Sequence, residues 1–216
     1  MAQRKPSKRD YDSTRRQAQA SETRRRILEA ARKLFTERGY AGATTEAIAA
    51  EAGVAAQTIY AIFKNKKRIL ISLMNVSSPT GEEDHLPMSE RSNIQAVRQE
   101  HGQHHQIQMF AEIVAYNLDQ VAEVSEIMAD AAKSEPDIDR ILQKLNHQRL
   151  EHMTSAVEDI VANGAFRKKM DLADATDTVW VLTSPEVFLL LTRERGWPKE
   201  KYAEWLADAL TRVLLS

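Results

Sequence analysis

The chain has 216 residues, which is enough for one or two domains with a buried core. It contains no cysteine, and this excludes disulfides, thiolate metal sites and a cysteine nucleophile. The longest strongly apolar run, residues 187–191, is far shorter than the roughly 20 residues that cross a bilayer. No apolar block follows the basic N-terminus, so we predict a cytoplasmic protein without a signal peptide.

The net charge of −1 hides an asymmetry between the two ends of the chain. Residues 1–75 carry 16 Lys and Arg against 7 Asp and Glu, a net charge of +9, whereas the remainder carries 14 against 24, a net charge of −10. A basic front end predicts a polyanionic partner for that part alone. The alternative is an ordinary solvated charged surface.

Residues 1–20 contain six Lys and Arg and almost no apolar side chains, so we predict a disordered basic arm. Such an arm either follows phosphates and enters a minor groove, or only keeps the chain soluble. The first helix is predicted to start after Ser21 and to end before Gly39. Its apolar stripe has helical spacing and comprises Ile27, Ala30, Ala31, Leu34 and Phe35.

Residues 44–63 predict a helix-turn-helix. Thr44 can cap a short helix, and Gly53 stands where that helix needs a left-handed residue to end. A second helix follows with Ile59 and Phe63 on its inner side and small or polar residues on its outer side. Short outer side chains let a helix axis approach base edges in a major groove, so we predict a DNA-binding module.

A fourth helix is predicted to begin near Asn65 with three cations in its first turn, namely Lys66, Lys67 and Arg68. Cations at a helix N-terminus are unfavourable for the helix dipole. A docked DNA phosphate would reverse that penalty by bonding both the free amides and the cationic side chains.

The stretch from Glu22 to Leu73 resembles the N-terminal domain of the tetracycline-repressor (TetR) family and covers about a quarter of the chain. The matching positions are Phe35, Gly39-Tyr40, Thr44, Ile48-Ala49, Ala52-Gly53-Val54, Thr58-Ile59-Tyr60, Phe63 and Lys66. The resemblance implies an all-helical, homodimeric transcriptional regulator that binds a palindromic operator in double-stranded DNA. It also implies repression until a small-molecule effector binds the C-terminal domain.

By the same resemblance, Thr44 and Tyr60 match phosphate-contacting positions, and Lys66 matches the lysine that opens the fourth helix. The full set of expected DNA contacts is Thr44, Ala55, Ala56, Gln57, Thr58, Tyr60, Ala61, Lys64 and Lys66. Many family members place larger polar residues where this chain has Ala55 and Ala56. Direct readout would therefore depend on Gln57, which can pair with an adenine edge, and on alanine contacts to thymine methyl groups. The alternative for Tyr60 is a hydrogen bond within the domain. The alternative for Gln57 is a solvated side chain without a role in readout.

The sequence predicts three segments: the arm at 1–20, a helix-turn-helix domain at 21–75, and a ligand-binding and dimerisation domain at 76–216. The acid-, Ser- and Pro-rich stretch between Asn75 and Arg91 is predicted to be a loop. Beyond it we predict only helices, near 94–99, 103–117, 118–133, from Pro136 to Asn163, 171–191 with a kink at Pro185, and after Pro198.

The last two helices carry more large apolar residues than one chain is expected to cover, which predicts a symmetric four-helix interface. The expected interface residues are Trp180, Val187, Leu189, Leu190, Trp205, Leu206, Leu210 and Val213. The alternative is a closed monomeric bundle. A ligand pocket inside the bundle is expected among Met109, Phe110, Tyr116, Asn117, Met128, His152, Met153 and Trp180, although such residues at helical spacing are commonly plain core.

His101, His104 and His105 have a spacing that can gather imidazoles around a metal, but no cysteine and no tightly placed carboxylate partner completes the set. We predict neither a metal nor another cofactor. No phosphate-binding glycine loop, nucleophile elbow or HExxH motif occurs, so an enzyme is not expected. Two alternatives to a regulator stay open. One is a protein that coats or bends DNA without an effector, and the other is a histidine-dependent metalloenzyme.

Overall fold

The computed structural model describes residues 8–74, 86–164, 166–167 and 170–215 of the chain. These residues form helices and connecting turns without a β-strand, so the predicted all-α fold is confirmed. The chain divides into two compact units, Met1–Leu73 and Met74–Ser216. Within the described residues no helix is both long enough and apolar enough to cross a membrane.

The N-terminal unit contains α1 (Lys8–Gly42), α2 (Thr45–Ala52), α3 (Ala56–Phe63) and α4 (Lys66–Leu73). The predicted disorder of residues 1–20 is wrong for residues 8–20, which extend α1, while residues 1–7 lie outside the described residues. An existing helix extends at the cost of ordering one residue per added hydrogen bond, so this extension needs no apolar face of its own. Gly39 has φ 69° and interrupts α1, which confirms the predicted end of the first helix there.

The core of this unit is formed by the predicted stripe of α1 together with the inner sides of the next three helices. Its buried residues are Ile27, Ala30, Ala31, Leu34, Phe35, Ala43, Ile48, Ala49, Ala52, Ile59, Phe63, Ile69, Leu70 and Leu73. The three short helices are too short to be stable alone in water, so their persistence depends on this shared apolar contact.

The C-terminal unit starts, among the described residues, with a 3₁₀ turn (Met88–Glu90) at the end of the predicted loop; residues 75–85 of that loop lie outside the description. The helices that follow are α5 (Ser92–Gln99), α6 (Gln103–Ala132), α7 (Pro136–Ala162), α8 (Leu172–Leu182), α9 (Pro185–Leu189) and α10 (Lys199–Leu214). A π-helical turn, Leu190–Glu194, continues α9. α6 lies at the centre and packs against α7, α9 and α10.

The prediction of two helices meeting at residues 117–118 is wrong, because α6 runs without interruption. Its sequence contains no glycine or proline that would end it. The start of α6 is also less exposed than its many glutamines suggest. Gln106 is fully buried, donates to the Val97 carbonyl at 3.1 Å, and accepts from the Asn163 amide at 3.0 Å, which ties α6 to the end of α7.

Pro185 separates two helices and does not kink a single one. α8 ends at Leu182, and α9 begins at Pro185 with Ser184 as its N-cap, where the Ser184 hydroxyl accepts from the Val187 amide at 3.2 Å. Proline is well tolerated at the first helical position because its missing N–H would have no partner there in any case.

Gly53 has a left-handed backbone conformation, which restricts the side chain that this position accepts. It has φ 63° and ψ 40°, and its amide and that of Val54 bond the Ala50 and Ala49 carbonyls at 3.1 and 3.0 Å. We expect Gly53→Ala to lower the free energy of unfolding of this unit by about 1–2 kcal/mol, because a Cβ in the left-handed region crowds the following carbonyl. Chemical denaturation followed by circular dichroism measures the loss.

The matched control is Gly53→Asn, which adds a larger side chain but tolerates the left-handed region better. It should cost less than Gly53→Ala. An asparagine variant as unstable as the alanine variant would mean that the nearby Arg26 side chain, and not the backbone, sets the cost.

Candidate nucleic-acid interface

The turn between α2 and α3 is fixed by capping at both ends of α2. The Thr44 hydroxyl accepts from the Ala47 amide at 3.1 Å, as the sequence predicts, and Gly53 closes the helix. Arg26 reaches across from α1 and donates to the Ala52 carbonyl and, at 3.4 Å, to the Gly53 carbonyl. A cation bonded to the last carbonyls of α2 also interacts favourably with the helix dipole.

α3 has one buried side and one open side. Ile59 and Phe63 are buried in the core of the unit. The Arg24 guanidinium lies 4.5 Å from the centre of the Phe63 ring and donates to the Ser72 hydroxyl at 3.1 Å, so the same arginine links α1, α3 and α4. These contacts prevent α3 from rotating about its axis.

The residues expected to contact DNA lie on the open side of this helix and at its two ends. Ala55, Gln57, Tyr60 and Ala61 are exposed, and Ala56 and Thr58 are partly exposed. Tyr60 stands out because 47% of its surface is accessible, which is high for a tyrosine in a folded unit. Its exposure leaves the phenol accessible to a DNA phosphate, and the alternative of an intradomain hydrogen bond stays open.

Lys66 has a second role that the sequence did not reveal. Its amino group donates to the Tyr40 carbonyl at 2.7 Å and lies 4.2 Å from the centre of the Tyr40 ring. It therefore fastens the start of α4 to the end of α1, and its loss would affect folding as well as any phosphate contact. Lys64, by contrast, is exposed at the end of α3 with φ 67°.

The start of α4 keeps the charge arrangement expected from the sequence. The Asn65 side chain accepts from the Arg68 amide at 2.9 Å and so caps the helix. Lys66, Lys67 and Arg68 occupy its first turn without an acidic residue. The positive end of the helix dipole and three cations thus coincide beside α3, an arrangement suited to a phosphate.

Arg24, Arg26 and Tyr40 are structural residues of this interface that sequence reasoning missed. In the sequence the Arg24–Arg26 run is simply a group of three consecutive charges. Cation–π and helix-capping contacts join residues far apart in the chain, so no local spacing signals them.

Of the residues predicted to form the dimer interface, three belong to the core of the chain itself. Leu206 and Leu210 are 0% exposed and Leu189 is 7% exposed, so their side chains cannot also cover a partner. Val187, Trp180, Trp205 and Val213 are partly exposed, and Leu190 is 57% exposed. Val181, which belongs to the same apolar stretch as Trp180, is 55% exposed.

The predicted pocket residues are dispersed. Met128 and Phe110 are buried core residues, Met109 and Met153 pack against the core, Asn117 is partly buried and His152 is exposed. A groove of about 590 Å³ lies between α6 and α10, and Tyr116 is the predicted pocket residue among its described lining residues. Trp180 is instead covered by the Arg149 guanidinium, whose carbon lies 3.3 Å from the ring centre.

The three histidines do not converge. His101 lies before α6 with Nδ1 at 3.4 Å from the Asn163 side-chain oxygen, whereas His105 Nδ1 lies 2.6 Å from a Glu100 carboxylate oxygen. His104 lines the groove between α6 and α10. In the part of the chain that the structure describes, no three His, Cys, Asp or Glu side chains are grouped as a metal site.

Comparison with known proteins agrees with this geometry. The sequence signature described as "Bacterial regulatory proteins, tetR family" matches residues 27–73. The HTH-type transcriptional regulator YhgD of Bacillus subtilis, itself uncharacterized, is 27% identical over 179 residues, which cover 80% of this chain and 84% of YhgD.

Two solved structures share the fold over nearly the whole chain. NalD, the secondary repressor of the MexAB-OprM multidrug efflux pump in Pseudomonas aeruginosa, is 20% identical with a TM-score of 0.60, covering 91% of this chain and 98% of NalD. FadR of Bacillus subtilis in complex with stearoyl-CoA is 18% identical with a TM-score of 0.61, covering 86% of this chain and 96% of FadR.

The capped α2–α3 turn, the open outer side of α3 and the cationic start of α4 lie within the segment that carries the family signature. The N-terminal unit therefore carries the signature of the TetR family of bacterial regulatory proteins, in agreement with the resemblance seen in the sequence.

Proposed function

We propose that the chain is a dimeric repressor that binds a palindromic operator and is released from it by a small-molecule effector. The observation that carries the proposal is the open side of α3, held in a basic unit above buried Ile59 and Phe63. Its small residues allow close approach to base edges, and Gln57 supplies a donor and an acceptor there. Thr44, Tyr60 and Lys64 would position the helix on phosphates.

Dimerisation would place two copies of α3 on successive major grooves, with half-sites about 34–36 Å apart or a multiple of that distance. The apolar residues that remain exposed near the end of α8 and in the turn after α9, Val181 and Leu190, support a partner surface there. Large exposed aliphatic side chains close to half-buried Trp180 and Val187 are typical of a surface that another chain covers.

An effector is supported by the likeness to FadR, which was solved with stearoyl-CoA, and the repressor role by the likeness to NalD. An effector would act by binding one arrangement of the dimer more tightly than another, since only differential affinity shifts the equilibrium. We propose that it occupies the C-terminal unit, where Met109, Met153 and Tyr116 offer partly exposed apolar and aromatic surface.

Gln57→Ala should remove the base preference at one position of each half-site, because alanine cannot form the bidentate contact that selects adenine. Selection of bound sequences from a random DNA pool measures the change. We expect the remaining positions of the operator to keep their preference.

The control variant is Lys64→Ala, which removes an exposed charge without touching base readout. It should weaken binding to all sequences alike and, because each dimer loses two such contacts, reduce the slope of log K against log salt by about 1.8. If Gln57→Ala left every base preference intact, Gln57 would not be a reading residue. We avoid Lys66→Ala for this purpose because Lys66 also bonds the Tyr40 carbonyl.

Val181→Glu and Leu190→Glu should each convert the dimer to monomers, because a carboxylate would lie unpaired in an apolar interface. Sedimentation velocity measures the mass, and circular dichroism verifies that the helices persist. Leu150→Glu, which changes an exposed aliphatic residue on α7, is the matched control and should remain dimeric.

Persisting dimers in both interface variants would place the partner surface elsewhere. A charge at Leu210 would not test the interface, since that side chain is fully buried in the chain's own core and the variant would unfold.

A further inference from the structure

The end of α8 leaves three backbone carbonyls without the amides that would continue the helix. The Ser184 amide bonds the Val181 carbonyl at 3.1 Å, and the Val187 amide bonds the Ser184 hydroxyl. In an unbroken helix these two amides would have bonded the carbonyls of Trp180 and Thr183. The Leu182 carbonyl lies in the same last turn. The carbonyls of Trp180, Leu182 and Thr183 therefore need other hydrogen-bond donors.

Side chains from two other helices supply those donors. Arg149 Nη1, from α7, donates to the Trp180 carbonyl at 3.1 Å, to the Thr183 carbonyl at 3.4 Å and to the Thr183 hydroxyl at 3.2 Å. The Tyr202 hydroxyl, from α10, donates to the Leu182 carbonyl at 2.9 Å. Four helices, α7 to α10, therefore meet at this break.

Both donors are packed against neighbouring groups and are in the protonation state that the contacts require. Arg149 is half-buried and stacked on the Trp180 ring, and burial lowers the pKa of its guanidinium to about 10, which still leaves it charged at neutral pH. Its positive charge lies at the negative end of the α8 dipole. Tyr202 is fully buried, and burial raises its pKa, so its hydroxyl remains a donor.

The break separates two exposed apolar residues. Val181 precedes it and Leu190 follows it, and they are 55% and 57% exposed. We propose that Arg149 and Tyr202 are positioning residues that fix the angle between α8 and α9, and thereby set the spacing of Val181 and Leu190 for contact with a second copy of the chain. The inference rests on the proposed dimer surface, but the geometry of the break can be measured without a dimer.

The same contacts give the break a connection to the interior of the C-terminal unit. Thr183, which accepts from Arg149, also donates to the Val179 carbonyl at 2.7 Å and lies 3.4 Å from the Met153 sulfur. Met153 is one α-helical turn from Arg149 on α7. Any ligand that displaces Met153 or Trp180 would therefore disturb the donors that hold the break.

The absence of cysteine from the chain allows a direct measurement. Val181→Cys and Leu190→Cys, introduced together and spin-labelled, report the distance across the break by pulsed electron resonance. Labelled chains are diluted with unlabelled ones so that only the distance within one chain is read. We expect Arg149→Met to broaden or shift this distance, because three contacts to the last turn of α8 are lost.

Arg140→Met is the matched control. Arg140 lies on the same helix, is exposed and pairs with Asp137 one turn away, so its loss should leave the distance unchanged. Arg149→Lys keeps the charge but has a single point of donation and does not stack in the same way, so it should give an intermediate distribution. It replaces Arg149→Met if the latter fails to fold, and Tyr202→Phe gives an independent variant at the Leu182 carbonyl.

In the unlabelled protein, Arg149→Met should raise the dimer dissociation constant about tenfold and Arg140→Met should not. An unchanged distance in Arg149→Met, or in Arg149→Lys and Tyr202→Phe where the methionine variant does not fold, overturns the positioning role. A changed distance with an unchanged dissociation constant overturns the link to the partner surface. If only the proposed interface is wrong, the Val181→Glu and Leu190→Glu variants will still be dimers, whatever the distance measurement shows.

Discussion

The burial of Ile59 and Phe63 is the constraint on which the proposed recognition depends. A helix of eight residues has little stability in water, so α3 keeps its conformation only while these two side chains remain packed against the core of the unit. Their packing also fixes the rotation of α3 about its axis. If α3 rotated about its axis by one residue, about 100°, Gln57 and Tyr60 would turn away from the open side. These side chains would then no longer face the major groove.

Two arginines of α1 also stabilise the position of α3 and of the turn that precedes it. Arg24 covers the Phe63 ring and Arg26 caps the end of α2, so both cations stabilise the position of the turn and are not simply part of a diffuse basic surface. Lys66 does the same at the start of α4 through the Tyr40 carbonyl. Part of the net charge of +9 in residues 1–75 therefore has a structural use, and the proposed attraction to phosphates depends on other cations, among them exposed Lys64.

Local signals in the sequence predicted the N-terminal unit well. Thr44 and Gly53 carry the chemistry of a cap and a left-handed turn, and the stripe of α1 has a regular period, so each can be read from a few neighbouring residues. The C-terminal unit was harder because its defining contacts are long-range. Leu206 and Leu210 were expected at a partner surface, yet they are core residues, since periodicity shows that a side chain is covered but not what covers it. Arg149 gave no signal for a related reason: it bonds carbonyls some thirty residues away.

Binding of two copies of α3 to one operator can be measured by hydroxyl-radical footprinting of genomic DNA fragments. At low ionic strength we expect a few protected sites, each with two related half-sites whose centres lie one helical turn, about 34–36 Å, or a multiple of it apart. Uniform protection along every fragment, or no protection of any fragment, would contradict this expectation.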